Sequence, residues 1–168
     1  KGVEVNAYLQ STSNPKIYAA GDAADTQGAP LTPVAVFEGK VAASNMLKGN
    51  RTMPDYAGVP SAVFTVPELS RVGMLEEEAR EARHDIRVVE NDTGDWYSNL
   101  RVGESCAATK VIIDNECDTI LGAHLLGPEY GEIINFFGWA ARLGLTTSDL
   151  KKMVSAYPSV GSDLGSMV

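Results

Sequence analysis

The residues best placed to do chemistry are an aspartate at the end of an apolar segment and the backbone amides of the helix that follows. Ile17–Ala20 is a short apolar run, which predicts a β-strand, and it stops at Gly21-Asp22. A carboxylate after such a strand stands at the carboxyl end of a sheet, where open α/β sheets bind ligands. Asp22 can accept hydrogen bonds from sugar hydroxyls there, whereas it would repel a bare phosphate. The segment therefore predicts one wall of a nucleotide-cofactor site.

A helix is predicted to begin after a polar loop and to point its N-terminus at the same site. Thr32 has the residue type of an N-cap and Pro33 that of a first helical turn, and the helix runs to about residue 47. Amides of the first turn carry the positive end of the helix dipole, which favours negative charge on a ligand. Glu38 and Lys40 are assigned to the exposed side of this helix. The apolar residues assigned to one face are Val34, Phe37, Val41 and Leu47.

This stretch resembles the second flavin-binding motif of the FAD-dependent pyridine nucleotide-disulfide oxidoreductases, the glutathione reductase and dihydrolipoamide dehydrogenase group. The matching residues are Thr12, Pro15, Ile17–Asp22, Leu31–Ala35 and Glu38–Lys40. The resemblance implies an FAD site whose cofactor-binding residues are Gly21, Asp22, Leu31, Thr32 and Ala35. Asp22 would bind a ribityl hydroxyl, directly or through water, and the helix N-terminus would lie beside the flavin ring. Glu38 would lie near the nicotinamide side of a parent enzyme or form a solvated pair with Lys40. The alternative to an FAD site is an ordinary strand–loop–helix unit without a cofactor.

Beyond residue 50 the sequence changes to a linker and then to a second pattern. Residues 51–60 are rich in turn-forming residues, and the strand candidates after them precede most of the helix candidates. That order predicts an α+β fold with an antiparallel sheet and helices packed on one face. The predicted strands are residues 61–65, 69–74, 85–92, 107–114 and 119–126, and the predicted helices are residues 76–83, 129–143 and 148–154. A hairpin is predicted around Asn115-Glu116, between the last two strands, and Gly144 is expected to end the helix 129–143. The apolar side of that helix is assigned to Ile133, Ile134, Phe137, Ala140 and Ala141, and Thr147 or Ser148 is expected to cap the helix 148–154.

The second part resembles the interface domain of the same family. The matching residues are Pro60–Glu68, Val72-Gly73, Gly122–Gly127, Glu129 and Glu132–Ile134. We therefore expect residues 1–50 to be the C-terminal part of an α/β FAD-binding domain, residues 51–60 a linker, and residues 61–168 the dimerisation domain. The resemblance implies a homodimer, formed through the sheet and the helix 129–143, and a parent enzyme that extends upstream of Lys1 and uses NAD(P)H.

Tyr157 marks the largest departure from the family pattern. Members that act on disulfides carry His-Pro-Thr-x-x-Glu near the C-terminus, where the His moves thiol protons and the Glu orients it. Here Tyr157 takes the His position and Ser162 the Glu position, with Asp163 one residue late. Tyr has an unperturbed pKa of about 10, against about 6.5 for His, and is a poor proton carrier near neutrality. Tyr157 is the one catalytic candidate, as a hydrogen-bonding partner of a substrate or of the partner subunit's flavin, with packing at the dimer interface as the alternative.

Composition argues against several classes of partner. The formal net charge of −8 and the isoelectric point near 4.7 argue against nucleic acid and anionic membranes. No apolar run is long enough to span a bilayer, and the N-terminus lacks a signal peptide, so we expect a cut chain from a cytoplasmic protein. Cys106 and Cys117 lack metal or redox spacing and are expected to be reduced structural thiols. We expect no metal site, and we assign His84 to solvent and His124 to a structural role.

Taken as a family member, the chain is expected to be the C-terminal, dimerising portion of an FAD-dependent NAD(P)H oxidoreductase. It has no Gly-x-Gly-x-x-Gly phosphate loop and no redox cysteine pair, so we expect it to be inactive alone and to hold FAD weakly or not at all. Mercuric reductases also carry a Tyr near position 157, but they need a C-terminal cysteine pair that this chain lacks. The alternatives are a non-catalytic dimerisation or interaction module, and a flavoprotein that reduces a quinone or a metal ion without a dithiol step. The sequence does not determine the electron acceptor, the choice of NADH or NADPH, or whether the parent has a redox cysteine pair.

Overall fold

A computed structural model describes residues 2–82 and 85–168 of the chain. By its internal contacts the chain divides into two compact units, residues 1–56 and 57–168. Each unit has a hydrophobic core of its own. His84, which the sequence assigns to solvent, lies outside the described residues.

The first unit consists of a two-stranded parallel sheet and one long helix. Strand β1 (Val3–Glu4) pairs with β2 (Ala24–Asp25), and a 3₁₀ turn covers Gly21–Ala23. Helix α1 spans Thr32–Lys48, so the predicted helix over 33–47 is confirmed to within one residue at each end. The small core of this unit is formed by Leu9, Val41 and Ala42, with Val5, Tyr18, Ala20 and Phe37 packed against it.

The predicted strand over residues 17–20 is wrong. Only one bridge forms in it, between Tyr18 and Gln10. The chain before this segment is not extended at Leu9, which adopts a left-handed conformation with φ 65°. The backbone of Ile17 is used in a tight turn, with its amide bound to Asn14 and its carbonyl to Ser11. The backbone groups of Ile17 that would pair with a neighbouring strand thus form their hydrogen bonds within the turn.

Two details of the predicted helix also differ. Leu31, rather than Thr32, is the N-cap residue, and no side chain caps this end. Leu47 is 85% exposed instead of buried, because thirteen residues after Val34 it falls on the opposite side of a helix with 3.6 residues per turn. The buried residues of α1 are Val34, Glu38, Val41, Ala42 and Asn45.

The second unit is built on a five-stranded antiparallel sheet, which confirms the predicted α+β fold. Its strands are β3 (Ser61–Val63), β4 (Glu68–Gly73), β5 (Ile86–Asp92), β6 (Ala108–Asp114) and β7 (Ile120–Gly127). Their spatial order is β3-β4-β7-β6-β5, and every neighbouring pair is antiparallel. The predicted hairpin around Asn115-Glu116 is the β6–β7 connection. The predicted strand over 61–65 is shorter, since the chain bends back after Val63 and the Thr65 amide binds the Val63 carbonyl.

Helix α4 (Tyr130–Leu143) covers one face of this sheet and fills the main core. The predicted stop at Gly144 is confirmed, because Gly144 takes the left-handed conformation that ends many helices. Phe137 and the Tyr130 ring are fully buried, and the Ser70 hydroxyl of β4 donates to the Tyr130 carbonyl at 2.9 Å. The apolar side of α4 therefore follows the predicted spacing and faces the sheet.

The remaining elements of the second unit are short. They are α2 (Glu76–Glu81), α3 (Tyr97–Leu100), α5 (Thr147–Lys151) and a 3₁₀ segment at Val160–Ser166. Thr146 caps α5, not the predicted Thr147 or Ser148, and its hydroxyl accepts from the Asp149 amide. Neither α3 nor the 3₁₀ segment is predicted by the sequence pattern. The C-terminal residues Met167 and Val168 are nevertheless buried in the core of this unit.

Candidate cofactor-binding site

The first unit contains a pocket of about 240 Å³ beside the 3₁₀ turn. Asp22 is exposed and lines this pocket. Its carboxylate is therefore available to a ligand and is not enclosed in the core. The pocket is lined by Gly21, Asp22, Ala24, Thr26, Gly28, Ala29, Pro30, Val34 and Glu38.

The turn that presents Asp22 depends on a glycine. Gly21 has φ +63°, a backbone conformation that residues other than glycine rarely adopt. A Cβ atom built at Gly21 would lie 2.8 Å from the Cβ atom of Ala35, in the first turns of α1. The close approach of this turn to the helix therefore requires glycine at position 21.

Glu38 is fully buried, and its prediction as an exposed residue is wrong. Its Oε2 atom accepts a hydrogen bond from the Gly21 amide at 2.6 Å. Its Oε1 atom accepts from the Thr26 hydroxyl at 2.8 Å and from the Tyr56 hydroxyl at 2.6 Å. Burial, and then the hydrogen bond to this carboxylate, raise the pKa of Tyr56 to about 12. The carboxylate thus joins three separate segments of the unit at the wall of the pocket.

Gly28 packs directly against this carboxylate. Its amide donates to the Thr26 hydroxyl oxygen at 3.1 Å. A Cβ atom at Gly28 would lie 2.6 Å from the Glu38 Oε1 atom and 2.8 Å from the Tyr56 ring. There is no room for a larger residue at this position without displacing the groups that Glu38 binds.

The other three residues assigned to the cofactor lie at the start of α1. Leu31, Thr32 and Ala35 are absent from the pocket lining, so the structure brings together only Gly21 and Asp22 of the five. Ala35 reaches the site indirectly, through its contact with Gly21. The first turn of α1 contains no acidic residue, so it keeps its positive partial charge.

Tyr157 lies in the second unit on an exposed segment after α5. It is 77% exposed, and its ring stacks on Tyr97 with centroids 6.2 Å apart and an interplanar angle of 23°. Asp163, the nearest acidic residue to the family's Glu position, accepts a hydrogen bond from Ser98. The Asp163 carboxylate, one residue after the position of the family Glu, therefore holds α3 to the C-terminal 3₁₀ segment.

His124 has the structural role that the sequence suggests. Its Nε2 atom lies 3.1 Å from the Met74 carbonyl, to which it donates. Burial, together with the positive charges of Arg71 and Lys110, lowers the pKa of His124. The surroundings of the ring in the sheet therefore favour its neutral form.

The two cysteines are free thiols and both are exposed, and the Cys117 sulfur lies 2.9 Å from the Thr119 hydroxyl oxygen. Among residues 2–82 and 85–168, no three His, Cys, Asp or Glu side chains form a group that could hold a metal ion. Within the same ranges, no helix has the length and apolarity needed to cross a membrane.

The chain matches a known protein family and several known proteins. A family model described as the dimerisation domain of pyridine nucleotide-disulphide oxidoreductases matches residues 59–168. The chain belongs to this family. A relative that is 52% identical is an uncharacterised 19.7 kDa protein in a mercuric resistance operon of Staphylococcus aureus, and the match covers 99% of this chain and 93% of that protein. The chloroplastic and mitochondrial glutathione reductase of Pisum sativum is 35% identical over 98% of this chain, which spans only 29% of that enzyme.

A solved family structure reproduces the fold of the chain. The HOCl-induced flavoprotein disulfide reductase RclA from Escherichia coli matches with a TM-score of 0.85 and 32% identity. The match covers 97% of this chain and 37% of RclA. Flavoprotein disulfide reductases of this family are thus similar to the whole described chain, which corresponds to about a third of their length.

Neither Thr26 nor Tyr56 is predicted from the sequence, and Glu38 is assigned to the wrong side of α1. The helical spacing indicates that Glu38 is buried, because Glu38 follows Val34 by four residues and precedes Val41 by three and so lies on the same face as both. An acidic side chain between apolar ones is usually solvated, and that preference led to the wrong assignment. Nothing in the local sequence indicated Thr26 or Tyr56, because both reach Glu38 only through tertiary folding.

Proposed function

We propose that the first unit forms one wall of an FAD site, and that the second unit pairs two subunits of an FAD-dependent NAD(P)H oxidoreductase. The observation that carries the proposal is the pocket in which Asp22 is exposed on a glycine turn packed against α1. In this assignment residues 1–50 are the end of an FAD-binding domain, 51–60 a linker and 61–168 the dimerisation domain.

The groups at this pocket fit a flavin nucleotide. The exposed Asp22 carboxylate would accept a hydrogen bond from a ribityl hydroxyl. The N-terminus of α1, which has neither a capping side chain nor an acidic first turn, would favour the negative charge of a reduced flavin ring. Bound FAD would supply the hydride-accepting chemistry, and this chain would bind and orient it.

We infer that the chain takes no part in a dithiol proton transfer of the glutathione reductase kind. Tyr157 stands where the family carries His, and it is exposed and stacked on Tyr97. Asp163, next to the position of the family Glu, accepts its hydrogen bond from Ser98. This observation favours a second candidate, a dimerisation or interaction module without catalytic residues. A parent that reduces a quinone or a metal ion is the other alternative, and assays of the full-length parent with disulfide, quinone and metal acceptors separate the two.

We infer that α4 contributes to a homodimer interface. Trp139 is 65% exposed and Leu143 is 69% exposed on the outer side of α4, although both are large and apolar. Phe136 packs edge-on against Trp139 with ring centroids 6.1 Å apart. Apolar surface of this kind commonly marks a protein interface. The cytoplasm is the proposed location, because exposed free thiols are maintained in a reducing compartment.

Titration of FAD into the ¹⁵N-labelled chain, followed by NMR, tests the cofactor site. We expect weak, saturable shifts at the amides of Gly21, Asp22, Gly28 and the first turn of α1, and unchanged amides in the sheet of the second unit. Absence of any shift at millimolar FAD, or shifts confined to the second unit, would contradict the proposal. Light scattering of the same sample tests the pairing, and a strict monomer at micromolar concentration counts against it.

A further inference from the structure

We propose that Glu38 is a positioning residue that holds the loop around Asp22 in the shape needed to receive a cofactor. The inference rests on the proposed FAD site, but Glu38 itself is distinct from the groups assigned to touch the flavin. Its carboxylate is fully buried, and it binds the Gly21 turn and the Thr26 loop to the body of α1.

The bonding pattern explains why an acidic residue stands at this buried position. A buried carboxylate is costly unless hydrogen-bond donors surround it, and Glu38 receives three donors. Two of these donors, from residues 21 and 26, belong to the loop before α1, and the third, from residue 56, belongs to the segment after it. Removal of the carboxylate would leave the Gly21 amide and two hydroxyls without their acceptor.

Two of the three donors connect this cluster to the pocket proposed to receive the ligand. Gly21 and Thr26, which Glu38 binds, line the same pocket as Asp22. Asp22 directly follows Gly21, so a shift of the Gly21 amide would move the Asp22 carboxylate. Glu38 thus acts on a ligand through the backbone that presents Asp22.

Two close contacts limit how far the loop can adjust. Gly21 abuts Ala35, and Gly28 abuts the Glu38 Oε1 atom, in both cases with space for hydrogen only. The cluster is therefore fitted to one arrangement of the loop. If Glu38 only filled space in the core, an uncharged residue of equal size would serve as well.

The test compares Glu38→Gln and Glu38→Ala with the wild-type chain by ¹⁵N NMR. Glu38→Gln has the same size but replaces one acceptor oxygen by a donor group, and Lys40→Gln, which removes an exposed charge two residues away, is the matched control. The Gly21 amide of the wild type should resonate downfield and exchange slowly, because it donates to a carboxylate. In Glu38→Gln we expect this amide to move upfield and to exchange faster, while FAD binding weakens by about tenfold. Lys40→Gln should leave both properties unchanged.

The outcomes separate this inference from the proposed function. An unchanged Gly21 amide in Glu38→Gln overturns the positioning role, whatever happens to FAD. A changed Gly21 amide with unchanged FAD affinity overturns the link between loop and cofactor. If the wild-type chain shows no response to FAD, the proposed cofactor site fails, and the Gly21 amide still decides whether Glu38 holds the loop.

Should Glu38→Ala unfold the first unit, Tyr56→Phe provides a milder variant: we expect a small shift of the Gly21 amide, because Thr26 still occupies Oε1.

Discussion

At the scale of single residues, position on a helix decided burial more strongly than residue type. Glu38 and Asn45 are buried in α1, whereas Leu47 and Met46 are exposed on the same helix. Asn45 is stable there because its side chain donates to the Tyr8 and Thr52 carbonyls and accepts from two loop amides. Both buried polar residues of α1 thus bind loops that contain few apolar residues, and they replace a larger core in this small unit.

The two glycines at positions 28 and 39 give a matched pair for testing this packing. Gly28→Ala should destabilise the first unit by about 1–3 kcal/mol, because the new Cβ atom would meet Glu38 and Tyr56. Gly39→Ala should stabilise it by roughly 0.5–1 kcal/mol, since nothing lies within 4 Å of that Cβ position in helix α1. Hydrogen exchange of the α1 amides measures both changes. Equal effects of the two substitutions would show that the Gly28 contact is unimportant.

At the scale of elements, one aspartate connects three parts of the second unit. Asp118 follows β6 and forms an ion pair with Arg87 of β5. The Thr147 hydroxyl at the start of α5 donates to the same carboxylate at 2.8 Å. Asp118 has φ 58°, so the turn is held in a left-handed conformation by these contacts. The β6–β7 connection is thereby attached to both the sheet edge and α5.

The contacts of Asp118 with Arg87 and Thr147 should make the stability of the second unit depend on pH. The Arg87 guanidinium, followed by the Thr147 hydroxyl, lowers the pKa of Asp118 below its ordinary 3.8. A lowered folded-state pKa means that the carboxylate stabilises the fold above 3.8, and that this stabilisation is lost as the pH falls through the folded-state pKa. We expect Asp118→Asn to lower the urea midpoint at neutral pH and to flatten its decline in acid. Both tryptophans, Trp96 and Trp139, lie in the second unit, so their fluorescence reports its unfolding.

The control for this measurement is Glu116→Gln, in the same turn. Glu116 is exposed, and its carboxylate forms no hydrogen bond or ion pair within the described part of the chain, whereas its amide donates to Asp114. It should retain the acid decline of the wild type. An acid profile of Asp118→Asn that follows the wild type throughout would mean that Asp118 does not contribute to the pH dependence.

At the scale of the whole molecule, the proposed homodimer would give the exposed side of α4 a function. We expect Trp139→Glu to convert a homodimer to monomers, because loss of a buried aromatic anchor weakens an interface by about 2 kcal/mol or more, roughly thirtyfold in the dissociation constant. Light scattering across a concentration series measures this. Leu47→Glu is the matched control: it places the same charge at an apolar residue that is 85% exposed on α1, and it should leave the dimer intact. Dissociation by both substitutions, or by neither, would contradict an interface on α4.

The sequence by itself determined the regular elements whose patterns are local. Helices α1 and α4 and the β6–β7 hairpin follow from apolar spacing, from Pro33 and Gly144 at helix ends, and from the turn at Asn115. The family followed from short motifs of residues that lie close together in the chain. These features depend on neighbours in the chain, so they can be read without a fold.

Only the tertiary structure decided how the candidate site is held together. Glu38, Thr26 and Tyr56 meet through folding of the chain, and a charge on a helix looks exposed until its three donors are known. The segment at residues 17–20 also escaped prediction, because an apolar run forms a strand only where a neighbouring strand accepts its hydrogen bonds. Burial of polar groups and pairing of strands are satisfied by distant residues, and for that physical reason the local sequence does not specify them.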